Sequence, residues 1–222
     1  MRTLIKVLVL ALAVAFEATA QTRRTSDITA APSGRYSLLG GETVGTGTNV
    51  VSGEFGWPSI TFGFTHGLSR DTDVGAKFDL LFGVEGDSNA SQFGIGFRVP
   101  YRVVALRSDR LSVLLHTDPG IKLFTTSPSL FGFGFPVGVV FGYAVQRDLT
   151  IAFGVDLNMA LYVTPSPVRF VISPMFGPAA EFRIDPRLTV GINTRFGPVI
   201  FTNNGGYSDF GFVTQLLLAY RM

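Results

Sequence analysis

The chain has 222 residues, of which 46% are apolar and only 15% charged, with a formal net charge of +2 and no cysteine. A soluble domain carries roughly 25% charged residues, so this sequence has too little charge for an ordinary water-facing surface. Disulfides, thiolate metal sites and thiol nucleophiles are excluded, and the scattered basic residues form no stripe that would suit a nucleic acid.

The first element expected is a secretory signal over residues 1–20. Arg2 and Lys6 give a positive n-region, residues 7–16 an apolar run too short to span a bilayer as a helix, and Ala18-Thr19-Ala20 an A-x-A cleavage site. An uncleaved anchor is the alternative. Residues 21–34 are polar and aperiodic, and are expected to be a flexible lead. No later stretch of 18 apolar residues offers a helical span.

From there a hairpin-sized unit repeats. Polar turns recur at Arg70-Asp71, Ser108-Asp109-Arg110, Arg147-Asp148 and Asp185-Pro186-Arg187, with Asp71, Asp109, Asp148 and Asp185 spaced 38, 39 and 37 residues apart. Residues 35–222 therefore divide into five near-equal units, each holding two strands, or ten strands in all. Period-two alternation supports them. The first strand is expected near residues 36–44, where Glu42 has no clear facing. Val74, Ala76, Phe78, Leu80 and Phe82 oppose Gly75, Lys77, Asp79, Leu81 and Gly83. Phe131, Phe133, Phe135, Val137, Val139 and Phe141 oppose Gly132, Gly134, Pro136, Gly138, Val140 and Gly142. Ile151, Phe153, Val155, Leu157 and Met159 oppose Ala152, Gly154, Asp156, Asn158 and Ala160. The last strand sets Phe210, Phe212, Leu216, Leu218 and Tyr220 against Gly211, Val213, Gln215, Leu217, Ala219 and Arg221.

Side-chain volume decides which face is inside. Ten strands with on the order of six large apolar residues each cannot fill a small barrel, but can cover its exterior. The other face, rich in Gly, Ala and Ser, suits a crowded interior. The expected fold is an all-β, ten-stranded antiparallel transmembrane β-barrel, apolar toward lipid and polar toward the lumen. A soluble secreted β-protein is the alternative to this inversion. The turns above belong to one end, and the opposite connections are expected at 47–56, 85–91, 125–130, 164–167 and 202–209. Tyr101, Tyr143 and Tyr220 should form an aromatic girdle at the turn end, with Trp57 at the other interface. Pro100, Pro119, Pro136, Pro174, Pro178 and Pro198 fall inside strands, where a ladder needs every N–H, so an eight-stranded barrel with an irregular pair is the alternative count.

Signal, absence of cysteine, long alternating strands and an amphipathic last strand resemble small bacterial outer-membrane β-barrel proteins. The resemblance implies a Gram-negative outer membrane as location, lipid as surroundings, and a barrel-assembly machinery that reads the aromatic-rich C-terminal strand. Phe210, Phe212 and Tyr220 match that strand, whereas Met222 departs from its terminal aromatic. A monomer is expected, without cofactor, metal or nucleic acid.

Chemistry is left to the lumen. Asp79, Asp118, Asp156 and Asn193 stand at similar depth, flanked on the same face by Lys77, His116, Asn158 and Arg195. Arg98, Arg102, Lys122 and Arg169 join them, with Glu181 and Arg183. Opposite charges at one level should pair, because an unpaired buried charge is costly. The network either plugs the barrel or lines a narrow selective path. The functional expectation is thus a non-enzymatic protein, structural or a porin-like conduit. An adhesion barrel using the 47–56 and 202–209 connections is the first alternative, and a lipid-active enzyme using His66 or His116 the second. His116 and Asp118 form an i, i+2 pair usable for acid–base work, and two histidines in all give little basis for a metal site.

Overall fold

The computed structural model describes residues 36–83, 92–125, 129–163, 168–202 and 207–222. The signal, the polar lead, the connections at 85–91 and 164–167, and parts of those at 125–130 and 202–209 lie outside the described residues.

The described residues contain thirteen β segments: β1 (Asn49–Trp57), β2 (Ser59–Gly67), β3 (Thr72–Leu81), β4 (Gly94–Arg98), β5 (Tyr101–Arg107), β6 (Leu111–Thr117), β7 (Gly120–Phe124), β8 (Leu130–Gly134), β9 (Val137–Ala144), β10 (Leu149–Val163), β11 (Arg169–Arg183), β12 (Leu188–Phe201) and β13 (Tyr207–Arg221). Three pairs are halves of single strands: β4 with β5, β6 with β7, and β8 with β9. Ten strands result, each antiparallel to its neighbours. The ladder between β1 and β13, from Val50 opposite Arg221 to Trp57 opposite Thr214, closes them into a barrel. Closure removes the sheet edge.

The three strand breaks fall at Pro100, Pro119 and Pro136, which explains how the ladder tolerates prolines. Each costs one N–H while its carbonyl still accepts: Gly75 N donates to Pro100 O at 2.8 Å, Val99 N to Pro119 O at 2.8 Å and Asp118 N to Pro136 O at 3.3 Å. Pro174 and Pro178 stay within β11, and Pro198 within β12. The count is ten strands.

The first hairpin corrects the sequence reading. Residues 36–44 form no strand, and the supposed 47–56 connection is β1, followed directly by β2 after Pro58. Val50, Ser52 and Glu54 alternate with Val51, Gly53 and Phe55, a pattern hidden by the neighbouring Gly-Thr-Gly-Thr. That run is a tight turn at the same end as the Asp/Arg turns, with Gly45 at φ 88° and Gly47 at φ 68°, left-handed values that glycine adopts without steric cost. It carries the chain out of the lumen and into β1. Residues 36–44 lie inside the turn end, with Tyr36, Ser37, Glu42, Thr43 and Val44 all buried.

Facing otherwise follows the alternation. Phe62, Phe78, Phe97, Phe153, Leu216 and Leu218 are exposed on the outside, and so are Tyr101, Tyr143 and Tyr220. Trp57 packs outside against Phe82 and stacks on Phe212 at 6.1 Å. His66, also outward, pairs its Nδ1 with Asn49 Oδ1 at 2.7 Å. Inside, at the end away from the polar turns, Leu81, Phe124, Tyr162, Val171 and Val199 form a buried apolar cluster.

Candidate functional site

The lumen is organised in tiers. At the turn end, residues 36–44 meet acidic and basic side chains of the wall. Glu181 accepts from Ser37 Oγ at 2.8 Å and from the amides of Leu38 (3.0 Å) and Leu39 (2.8 Å). Arg102 grips Asp73 with Nε (2.7 Å) and Nη2 (2.6 Å), and donates Nη1 to Leu38 O at 2.8 Å. Asp73 also accepts from Val44 N at 3.0 Å. Arg107 pairs with Glu42 at 2.7 Å and with Asp71 at 2.5 Å. Tyr36 shares a 2.6 Å hydrogen bond with Thr189, and its ring faces the guanidiniums of Arg183 at 4.9 Å and Arg221 at 5.1 Å.

Above lies a chamber of about 230 Å³, with Leu38 and Leu39 in its floor and Tyr162 and Val171 toward the apolar cluster. Its charges pair along the wall. Arg98 donates Nε and Nη2 to the two oxygens of Asp79, both at 2.7 Å, and Nη1 to Asp118 at 2.5 Å. Thr61 adds a 2.6 Å hydrogen bond to Asp79. Lys77 pairs with Glu54 at 2.7 Å. Asp156 receives Arg195 Nε at 2.9 Å and stands 2.8 Å from His116 Nε2. These partners sit on neighbouring or next-but-one strands, so the network hugs the wall and leaves the middle hollow.

Lumenal glycines make this geometry possible. A Cβ on Gly138 would stand 2.2 Å from Asp156 Oδ1 and 2.4 Å from His116 Nε2, and one on Gly154 would stand 2.0 Å from Arg195 Nη2. Gly142 leaves room for the carbonyl of Gly40.

The residues expected to form one network are thus divided. Lys77, Arg98, His116, Asp118, Lys122, Asp156, Asn158, Asn193 and Arg195 line the chamber, and Asp79 lies behind Arg98. Lys122 is buried, and Asn158 Nδ2 contacts Met175 Sδ at 3.2 Å. Arg102 belongs mainly to the turn-end tier. Arg169 is corrected: it has inward parity, but begins β11 at the far rim and is exposed there. His116 partners Asp156 rather than Asp118, whose carboxylate turns to Arg98.

Sequence reading missed Glu54, Asp73 and Arg107. The inward series Val50, Ser52, Glu54 was the available signal for the first. Arg107 gave none, because a register shift between Val104 and Leu106 turns it inward. Among the described residues, no group of three or more His, Asp or Glu side chains is placed to hold a metal ion.

No protein-family profile matches the sequence, and no curated protein matches it. Among solved structures, the chain is similar to the outer membrane protease OmpT from Escherichia coli, with a TM-score of 0.41 and 11% sequence identity over 80% of this chain and 94% of that one.

Proposed function

We propose that this protein is a non-enzymatic outer-membrane β-barrel of a Gram-negative bacterium, exported by residues 1–20, which acts as a structural barrel or a narrow porin-like conduit with a charged lumen. One observation carries the reading: the barrel is inverted, with its ion pairs inside and large apolar side chains exposed outside. In water that exterior would be a severe liability, whereas against hydrocarbon it is the favourable surface. The strands β10 to β13, of 14 or 15 residues, exceed the roughly 9–11 that a tilted strand needs to cross the bilayer core. The tyrosines near the turns suit a headgroup boundary. The aromatic β13 is the segment that assembly machinery would read. Because the ladder closes on itself, a monomer suffices.

If the lumen conducts, Lys77, Arg98, Arg102, Lys122 and Arg195 against Asp79, Asp118 and Asp156 set its selectivity. The test is planar-bilayer recording of refolded residues 21–222. Unitary steps identify a conduit, and an inserted but silent barrel identifies the structural role. A folded, lipid-free monomer that refuses to insert refutes both.

A further inference from the structure

We propose that residues 36–43 are a releasable stopper, which closes the lumenal chamber from the turn end and opens it to solutes of that side when withdrawn. The inference rests on the barrel reading above.

The segment contributes no strand to the sheet, so its departure leaves every barrel ladder intact. Its hold is mostly polar: Glu181 on Ser37, Leu38 and Leu39, Arg102 on two of its carbonyls, Arg107 on Glu42, and Thr43 Oγ1 donating to Arg70 O at 2.6 Å. All of these groups regain water when the segment leaves on the aqueous side, so each contact contributes little net. The apolar hold comprises Leu38, Leu39 and Val44 against Val50, Leu217 and Ala219, and the buried ring of Tyr36 against Arg183 and Arg221. Val44 sits at the pivot, directly before Gly45 and Gly47.

The wall is nonetheless shaped for this occupant. A Cβ on Gly142 would overlap the Gly40 carbonyl, and one on Gly191 would stand 2.9 Å from Leu39 Cδ1. Withdrawal would leave Arg102, Arg107, Arg183 and Arg221 facing Asp71, Asp73 and Glu181, a rim with a surplus of positive charge. The entering solute would therefore be a small anion.

The absence of cysteine makes a thiol test clean. A Ser173→Cys substitution places one thiol on the chamber wall. The probe is a sulfonate-bearing methanethiosulfonate added to the barrel in lipid vesicles. A second background adds Gly40→Cys with Thr150→Cys, oxidised. The Cβ built on Gly40 lies 3.2 Å from Thr150 Cβ, just inside the roughly 3.5–4.5 Å of a disulfide, so a small shift of the free segment admits the bridge. A third adds Glu181→Ala, which removes the acceptor of three stopper contacts.

The expected result is slow labelling in the first background, none in the locked one, and faster labelling with Glu181→Ala. Labelling of the locked form at the unlocked rate overturns the stopper, and so does a folded Glu181→Ala barrel labelled no faster. If Glu181→Ala fails to fold, the locked comparison decides alone. Bilayer recording separates the two readings: labelling that obeys the stopper in a silent barrel removes the conduit only, and current unaffected by the lock removes the stopper only.

Discussion

Replacing Arg98 by methionine is the sharpest test of whether the lumenal network is dry. Arg98 makes three charge-assisted hydrogen bonds, two to Asp79 and one to Asp118. Asp79, 1% exposed in the native barrel, keeps in Arg98→Met its hydrogen bond from Thr61 and the neighbouring Lys122, and Asp118 loses its ion pair with Arg98. Three such bonds would amount to about 4.5–9 kcal/mol if their individual net contributions simply added. Truncating one partner of a buried pair costs about 3–5 kcal/mol net, most of it the penalty of stranding the other charge. The expected loss is therefore about 3–5 kcal/mol. Adding Asp79→Asn and Asp118→Asn should restore most of it, because the stranded charges are then gone. The assay is urea unfolding in lipid vesicles followed by fluorescence of Trp57, the single tryptophan of the chain. A loss under about 1 kcal/mol for Arg98→Met, with no recovery in the triple variant, would refute the argument: it would mean that chamber water hydrates both carboxylates freely.

Other perturbations probe other tiers. Gly154→Ala places a methyl on the Arg195 guanidinium and should cost about 1–3 kcal/mol in the same titration, while Gly134→Ala, whose Cβ would meet nothing closer than 4.0 Å, should be near neutral. Phe124→Ala in the fully buried apolar cluster should cost about 3–5 kcal/mol. Phe97→Arg, on the exposed outer face, should cost about 2–4 kcal/mol if that face meets the bilayer midplane, and almost nothing in a detergent-free soluble state. In the turn after β11, Asp185 Oδ1 accepts from the amides of Arg187 (2.7 Å) and Leu188 (2.8 Å), which hold its carboxyl below the usual range. Its folded value is the lower one, so its contribution is present above the ordinary carboxylate value and lost as pH falls through the depressed one. Asp185→Asn should flatten that acid limb of the stability profile.

The sequence by itself determined the barrel. The Asp/Arg turns at a constant period fixed hairpin size and count, and alternation with too many large apolar residues for one small interior fixed which face is outside. Both are local, periodic signals, legible because strand geometry repeats every two residues. They also named Lys77, Asp79, Arg98, Asp118 and Asp156 as lumenal. What only the tertiary structure decided is where periodicity ends. Residues 36–44 read as a strand because they are of strand length and precede a glycine-rich run, yet their partners, Asp73, Arg102, Arg107 and Glu181, come from β3, β5 and β11. A segment held by contacts distant in sequence carries no local signature. Partner choice in the lumen is likewise non-local. His116 prefers Asp156 to the nearer Asp118 because Gly138 opens one path and Arg98 occupies the other carboxylate. Arg107 faces inward only because a bulge shifts the register. Alternation states which side of a strand a residue takes; closure of the sheet and the room left by glycines decide whom it meets there.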